Sequence, residues 1–395
     1  MRKIGFIVTL LLALWITFPA LAQQNATGQT AQAVGPLPVM PELFDRANSA
    51  SAAGNHSQAI VDYSLFILLN PTFSQGYASR ALSYDALGDT DQAIGDLTRA
   101  LSYDIPQVQY KAAVYYTRAT LYLKQNDLTD ALDDLNVSID AYPDGVDSLG
   151  LRAQLLTYTN RYPDALTDLN HLIELQPSEA RHYLDRGFIH TQLGQSDEAL
   201  ADYDRAVDLN PQDARPYAER ALYYSAQRQF SDALVDINNA ISRSPQNGEF
   251  YLVRGSIHAV VDKPIEAADD YFQWMSLNLT KRYIAPQTLT SSQAFTVEMQ
   301  PGWVYNIPFA ASAGQKVNIA ASGESPQSPV DPLLVILGTN GSPLISDDDS
   351  GGNMAAFIRN YEIPEDGEYT LVVGQAGGGA PQGNVNVQVD LGASG

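Results

Sequence analysis

An arginine and an aspartate sixteen residues apart recur along this chain. In the stretch RGFIHTQLGQSDEALADYD the pair is Arg186 and Asp202, with Ala199 three residues before the aspartate. A guanidinium and a carboxylate at a fixed spacing can form an ion pair that joins two segments, or they can present charges to a ligand. The number of copies, and the elements that carry them, favour one of these two roles.

The pair belongs to a ladder of seven copies. Seven alanines recur at steps of 34, 38, 34, 34, 34 and 34 residues, each with an aspartate three residues later. A ligand site rarely needs seven identical pairs, so we interpret them as structural ion pairs rather than as ligand contacts. The spacing leaves open whether each pair closes within one repeat or bridges two neighbours. The arginines are Arg46, Arg80, Arg118, Arg152, Arg186, Arg220 and Arg254, and the aspartates are Asp62, Asp96, Asp134, Asp168, Asp202, Asp236 and Asp270.

A second group of charges lies towards the C-terminus, where Asp347, Asp348 and Asp349 follow Asp331. Carboxylate oxygens are the ligands that hard cations such as calcium prefer. The spacing does not match a helix-loop-helix calcium loop. A calcium site and a solvated acidic turn therefore both remain open, with the turn favoured. Apart from this calcium, the sequence predicts no cofactor.

Other reactive residues do not combine into a recognisable catalytic site. The chain has no cysteine, which excludes disulfides, thiolate catalysis and cysteine-ligated zinc. Its five histidines show no paired metal-ligand spacing. The stretch DSGG at 349–352 has no matching histidine segment to make it a nucleophile site. We therefore expect no enzymatic activity.

The charge balance limits the classes of partner. The 395 residues include 45 acidic and 23 basic side chains, for a net charge of −22. Sequence-independent nucleic-acid binding needs a basic surface, so we expect no nucleic-acid partner. The same excess of negative charge disfavours electrostatic docking to an anionic membrane surface.

The first 22 residues have the pattern of a secretory signal. Arg2 and Lys3 precede the apolar run 4–18, and the residues at 20–22 give a small-x-small cleavage pattern. The apolar run is shorter than the ~20 residues that span a bilayer, which favours cleavage over an uncleaved anchor. We expect an exported protein, secreted or periplasmic, with a disordered linker at 23–39 and no membrane span in the mature chain.

The 34-residue period indicates the elements that carry the ladder, because this period is typical of stacked helix-turn-helix repeats. Over residues 40–280 the chain resembles the tetratricopeptide repeat family, which implies a solenoid of seven such repeats. Prolines such as Pro211 would end the second helix of a repeat. The four extra residues between repeats two and three would lengthen a turn or the start of a helix. In repeat five the family pattern falls on Tyr183, Gly187, Gly194, Ala199, Tyr203, Ala206 and Pro211.

The resemblance also implies a concave groove, lined by the first helix of each repeat, that binds a peptide or protein. No lysine occupies the fifth position of a repeat, so we expect an apolar or aromatic peptide segment rather than a gripped terminal carboxylate. Leu184, Phe188 and Leu222 have packing between helices as an alternative role, and Arg181 and Arg215 could be solvated. The candidate groove residues are Phe44, Asn48, Leu82, Tyr116, Thr120, Gln154, Arg181, Leu184, Phe188, Arg215, Leu222 and Leu252.

Beyond Lys281 the period ends and short segments with alternating apolar residues follow. Segments such as WVYNIPF, PLLVILG and EYTLVVG, separated by turn-rich pieces, predict an all-β sandwich. The order of YNIPFAASAGQKVNIAAS, DPLLVILGTNGSPLISDDDSGG and IPEDGEYTLVVG resembles the bacterial pre-peptidase C-terminal domain, a collagen-binding-like module. We place a linker at 281–292 and this domain at 293–392. The resemblance implies a non-catalytic adhesive or targeting role, with an extracellular polymer as one class of partner.

These observations predict a multidomain chain, an α-helical solenoid followed by an all-β sandwich. We expect an exported, non-catalytic scaffold whose groove binds a protein or peptide and whose β-sandwich attaches to a surface or polymer. The alternative is an accessory subunit that assembles with a secreted hydrolase and targets it. A hydrolase in its own right would need an acid–base pair that the sequence does not offer.

Overall fold

The computed structural model describes residues 41–279, 281–300, 302–325, 328, 330–348, 355–375 and 383–392. Within these residues fourteen helices are followed by nine strands in two sheets, so the predicted fold class is confirmed. The signal and linker predicted for 1–39 lie outside the described residues, as does Asp349. The chain divides into two compact units, with the boundary between Asp202 and Tyr203.

The unit that ends at Asp202 is built from helical hairpins. In each hairpin the first helix carries the ladder arginine and the second carries the aspartate. Its helices are α1 (Pro41–Ala52), α2 (His56–Leu69), α3 (Ser74–Ala86), α4 (Thr90–Leu101), α5 (Val108–Lys124), α6 (Leu128–Ala141), α7 (Val146–Tyr158), α8 (Tyr162–Leu175), α9 (Ala180–Gln192) and the first half of α10 (Ser196–Leu209).

The four extra residues between repeats two and three lengthen the start of a helix, which was one of the two predicted alternatives. Helix α5 has 17 residues and α7 has 13. The former begins ten residues before Arg118, whereas the latter begins six residues before Arg152. The insertion therefore adds about one turn at the N-terminal end of α5 and leaves the spacing from arginine to aspartate unchanged.

The turn inside each hairpin requires a left-handed residue. The residue eight positions after each ladder arginine has a positive φ, between 58° and 81°. Glycine adopts this conformation without a Cβ clash, and asparagine tolerates it better than most residues. The seven residues are Gly54, Gly88, Asn126, Asn160, Gly194, Arg228 and Asp262.

Proline and alanine have the roles that the sequence predicted for them. Five of the second helices, α2, α6, α8, α10 and α12, end two residues before a proline, which cannot continue a helix. The seven ladder alanines are all buried, so they allow the two helices of a hairpin to approach closely. At Gly255, an added Cβ would lie 3.0 Å from the ring of Tyr271, which shows how little space this packing leaves.

The second unit begins inside α10 and continues through four further helices and the strands. The helices are α11 (Ala214–Ala226), α12 (Phe230–Arg243), α13 (Gly248–Val260) and α14 (Pro264–Asn278). The strands are β1 (Lys281–Ile284), β2 (Gln293–Met299), β3 (Trp303–Ala311), β4 (Lys316–Gly323), β5 (Pro332–Leu337), β6 (Pro343–Asp347), β7 (Ala356–Glu362), β8 (Gly367–Gln375) and β9 (Gly383–Leu391).

The strands form a sandwich of two sheets. One sheet has the order β1-β3-β8-β5-β6 and the other the order β2-β9-β4-β7, and every pair is antiparallel except β1 with β3. The segments predicted as strands, WVYNIPF, PLLVILG and EYTLVVG among them, are strands. Neither β1 nor β6 was predicted from the sequence. Strand β1 lies inside residues 281–292, which were predicted to be a linker.

One sheet of the sandwich is covered on both faces. Leu334 and Ile336 of β5 belong to the core between the two sheets. Leu333 and Val335 of the same strand point the other way and pack against α14 residues such as Trp274. The whole of β5 is consequently buried. Within this unit the last helix and the β-sheet share a second apolar core.

Candidate partner-binding surfaces

Each ladder arginine forms a two-pronged ion pair with the aspartate of its own repeat. In all seven pairs Nη2 donates to Oδ1 at 2.6–2.8 Å, and Nε donates to the same carboxylate at 2.6–3.0 Å. The pairs therefore close within a repeat and join its two helices. The prediction of a structural pair agrees with this geometry, since a two-pronged contact already uses both carboxylate oxygens.

The third nitrogen of six of these arginines contacts the second helix of the preceding repeat. The acceptor is always the residue two positions after that repeat's ladder aspartate. Each guanidinium thus joins three helices, an arrangement that the spacing alone did not reveal. The acceptors of the Nη1 groups are Ser64, Thr98, Asn136, Asn170, Asp204 and Asn238.

Aromatic rings lie over most of these guanidinium groups. A tyrosine three residues before the arginine lies within 6 Å in five repeats, as Tyr77 does for Arg80, and two repeats add a tyrosine four residues after it. Such contacts stabilise a partly desolvated cation. In repeats five and seven the later position is a histidine, and His258 Nδ1 lies 3.0 Å from Asp270. This histidine therefore takes the place of the second tyrosine and contacts the ladder carboxylate.

The first pair differs from the others in exposure. The Arg46 side chain is 63% exposed, whereas the other six arginines are 15–23% exposed. Its partner Asp62 is buried, and the hydrogen bonds from Arg46 lower the pKa of that carboxyl although burial opposes the shift. Gln58 donates a further hydrogen bond to Asp62 at 3.0 Å.

The candidate groove residues differ widely in how accessible they are. Leu252 lies in the core between α14 and the sheet, so its side chain is not available to a partner. Thr120 is buried and donates to the Thr117 carbonyl, and Leu184 is also buried. Asn48, Arg181 and Arg215 are exposed, and Phe44, Leu82, Tyr116, Gln154, Phe188 and Leu222 are half-buried.

Several half-buried members of this set already pack inside the chain. Phe44 packs against Tyr63, Phe188 against the core of α7 and α8, and Leu222 against that of α11 and α12. For Phe188 and Leu222, these contacts match the alternative role, which is packing between helices. The charges of Arg181 and Arg215 are matched locally, by Asp185 at 3.6 Å and Asp213 at 2.9 Å.

Helix α2 exposes an apolar stripe that the sequence analysis did not identify. Val61, Leu65, Leu68 and Leu69 follow the spacing of one helix face and are 44–75% exposed in the described part of the chain. The residues that match Leu68 in the other six repeats are all polar: Ser102, Asp140, Glu174, Asp208, Ser242 and Ser276. Clustered exposed apolar side chains mark interaction sites more often than scattered ones.

The predicted calcium ligands lie at the end of β6 and before β5. The Phe357 N–H donates to Asp347, and the Tyr271 hydroxyl donates to Asp348 at 3.1 Å. Burial raises the pKa of Tyr271, and the Asp348 carboxylate raises it further. Among the described residues, which exclude Asp349, no group of three acidic or histidine side chains is placed to hold a metal ion. The calcium site with Asp331 stays a prediction.

The outer face of the β2-β9-β4-β7 sheet carries a shallow polar cavity. Its volume is about 340 Å³, and it is lined by small and amide side chains such as Thr296, Ser322, Asn386 and Gln388. Thr296 donates to Asn386 across two strands at 3.0 Å. The lining of this cavity therefore offers hydroxyl and amide groups beside apolar side chains such as Ala294 and Ala320. In the part of the chain that the structure describes, no helix is long and apolar enough to cross a membrane.

Comparison with known proteins identifies the helical repeats. The tetratricopeptide repeat model matches residues 79–146 and 151–214. The C-terminal part of a tetratricopeptide repeat-containing protein from Cytophaga hutchinsonii is similar in structure, with a TM-score of 0.51 at 15% identity, covering 60% of this chain and 96% of that one. Residues 79–146 and 151–214 therefore carry tetratricopeptide repeats.

Other solved structures of repeat proteins are also similar. A tetratricopeptide repeat protein from Parabacteroides merdae has 21% identity and a TM-score of 0.48, covering 61% of this chain and 93% of that one. YrrB, described as having an unusual peptide-binding site, has 17% identity and a TM-score of 0.40, covering 45% of this chain and 89% of its own. At these identities the similarity concerns the fold alone. No curated protein matches the sequence.

Two features of the tetratricopeptide repeats had signals in the sequence. In six repeats, the polar residue two positions after the ladder aspartate accepts a hydrogen bond from the arginine of the next repeat. In the last repeat this position is Phe272, which packs on the core of α14 and the sheet. The run of apolar residues from Leu65 to Leu69 is longer than one buried helix face requires. A repeat-by-repeat comparison of outer positions would have found both.

Proposed function

We propose that this chain is an exported, non-catalytic scaffold that binds a protein partner through its tetratricopeptide repeats. The observation that carries the proposal is the exposed apolar stripe of α2, formed by Val61, Leu65, Leu68 and Leu69. Exposing this much apolar surface in one place costs free energy that covering it by a partner would recover. Export is proposed from the leader pattern at 1–22.

The partner has an apolar segment flanked by basic residues. The stripe supplies apolar contact, and the net charge of −22 favours a positively charged partner. Because the gain from apolar contact scales with the apolar area removed from water, we expect the exposed leucines of the stripe to contribute most of the affinity.

The β-sandwich is proposed to attach the scaffold to a surface or polymer. The supporting observation is its outer face, where Thr296, Ser322, Asn386 and Gln388 surround the cavity of about 340 Å³. Hydroxyl and amide groups match those of carbohydrate or peptide polymers in hydrogen-bonding capacity. This role also agrees with the proposed resemblance of residues 293–392 to pre-peptidase C-terminal domains.

Capture from the extracytoplasmic fraction tests the proposal. Mature wild-type chain, starting at Gln23, is compared with a Leu65→Ser/Leu68→Ser variant, which introduces the serine found at the Leu68 position in three other repeats. The matched control is Val235→Ser, which removes an exposed valine, 61% accessible, at the Val61 position of repeat six. We expect a partner that wild type and control retain and the stripe variant loses.

The same experiment can contradict the proposal. Equal recovery of every captured protein by the stripe variant would show that α2 is not the docking surface. If the stripe instead covers itself with a second copy of this chain, light scattering will show a dimer that the Leu65→Ser/Leu68→Ser variant lacks. A captured hydrolase would identify the chain as a targeting subunit of that enzyme.

A further inference from the structure

The fourth repeat contains a cavity beside its ladder arginine. Its volume is about 230 Å³, and Asn136, Arg152, Leu156, Arg161 and Asp164 are among the residues that line it. Arg152 keeps its ion pair with Asp168 and its bond to Asn136. Arg152 thus lines the cavity with a guanidinium whose three nitrogens each already donate one hydrogen bond.

In the third repeat the same place is filled by the ring of Tyr122. This ring lies 5.8 Å from the guanidinium carbon of Arg118. Burial raises the pKa of Tyr122, Arg118 opposes this shift, and the carboxylates of Asp134, Asp130 and Asp127 add to it. A shift of 34 residues converts Tyr122 into Leu156, and Asp130 into Asp164, which lines the cavity.

Repeats one and four alone lack both aromatic residues of this arrangement. The other five repeats carry a tyrosine three positions before the arginine and a tyrosine or histidine four positions after it. In repeat one the exposed Arg46 is solvated instead. In repeat four Arg152 is only 21% exposed, and Leu149 and Leu156 replace the two rings. Among the described residues no ring lies over Arg152.

We propose that the cavity beside Arg152 receives an aromatic side chain, specifically a tyrosine, from the protein partner. The ring would lie on the Arg152 guanidinium as Tyr122 lies on Arg118. Arg161 stands where repeat three has Asp127; its Nε and Nη2 donate to Asp164, which leaves Nη1 as the donor for a phenol oxygen. The natural source of the tyrosine rests on the proposed function, whereas the chemistry of the cavity does not depend on it.

A small probe tests the cavity without the partner. N-acetyl-L-tyrosinamide is titrated into the mature full-length chain and followed by saturation-transfer NMR, with N-acetyl-L-leucinamide as the matched apolar control. A ligand of this size is expected to bind with a Kd on the order of millimolar. We expect the tyrosine amide to bind about tenfold more tightly than the leucine amide, because only its ring can contact the guanidinium face.

Two reciprocal substitutions locate the binding. Leu156→Tyr supplies the missing ring at the cavity, so it should weaken probe binding at least about tenfold. Tyr122→Leu should open an equivalent second cavity and raise the binding stoichiometry from one towards two. Undiminished probe binding to the Leu156→Tyr variant, or equal binding of the two amides, would overturn the proposal. Displacement of the probe by inorganic phosphate would show an anion site instead.

If Tyr122→Leu does not melt cooperatively, Leu156→Tyr alone decides the result. Failure of the probe experiment leaves the α2 stripe untouched, because Leu65 and Leu68 do not line this cavity. Failure of partner capture by the stripe likewise leaves the tyrosine cavity standing. The two proposals can therefore be rejected separately.

Discussion

Arg186 shows what one residue contributes to this fold. Its Nε and Nη2 donate to Asp202 on α10, while its Nη1 donates to Asn170 on α8. The ring of Tyr183 covers one face of the guanidinium at 5.7 Å. An arginine suits this position because its planar fork can serve several acceptors at once, which a lysine cannot do. The residue acts as a joint between helices.

Loss of the carboxylate should cost more inside the array than at its first repeat. Asp202→Ala leaves Arg186, 23% exposed, without its partner, and should destabilise the chain by about 3 kcal/mol. Asp62→Ala leaves the exposed Arg46 to water, so its effect should be less than half as large. Thermal melting followed by circular dichroism measures both. Equal losses would contradict the structural role of the inner pairs.

At the scale of elements, the hairpin turns limit which residues can follow the first helix. Gly54, Gly88 and Gly194 occupy the left-handed position without strain. Arg228 and Asp262 occupy it with a Cβ that crowds the neighbouring carbonyl oxygen. The chain therefore retains strain in two turns of its second unit.

Replacing Arg228 by glycine should relieve that strain. Its φ is 61°, so Arg228→Gly should raise the free energy of unfolding by about 0.5–1 kcal/mol, the left-handed penalty less the added backbone entropy. Urea denaturation measures the change. The control is Arg228→Ala, which removes the same side chain but keeps the Cβ, and it should bring no gain. A gain from both substitutions would assign the effect to the arginine side chain.

The elements were largely predictable from the sequence, whereas several contacts between them were not. The 34-residue period and the prolines after the second helices predicted the hairpins, because each depends on local geometry. The packing of α14 against the sheet was not predicted from the sequence, because the strands were predicted from alternating apolar residues. The unbroken apolar run PLLVILG is typical of a strand that is buried on both faces. The cavity beside Arg152 needed the structure, because its lining comes from three helices.

At the scale of the molecule, the last helix and the β-sandwich of the second unit depend on each other. Trp274 and Met275 of α14 are buried against Leu333, Val335 and other residues of the first sheet. The Tyr271 hydroxyl adds a hydrogen bond to Asp348. A helical repeat array needs a polar surface at its end, and here the sheet covers the apolar face of the terminal helix instead.

Removal of the β-sandwich should uncover that face. A chain from Gln23 to Leu279 retains Trp274 as its single tryptophan, because Trp15 lies in the proposed leader and Trp303 in β3. Its fluorescence emission should shift to the red, as expected for a solvated indole, and the chain should tend to associate. Full-length Trp303→Phe provides the reference for buried Trp274. The same emission maximum in both proteins would show that the sheet does not bury this helix.

One experiment can distinguish the ion pairs that hold the helices together from the surface that binds the partner. The affinity of the purified partner and the melting temperature are measured for the wild type, Leu65→Ser/Leu68→Ser and Asp202→Ala. We expect the stripe variant to lose at least about tenfold in affinity while its melting temperature stays unchanged. We expect Asp202→Ala to melt at a lower temperature but, while folded, to bind like the wild type. Lost affinity in Asp202→Ala at unchanged stability, with full affinity in the stripe variant, would contradict both the binding role of the stripe and the structural role of the ion pairs.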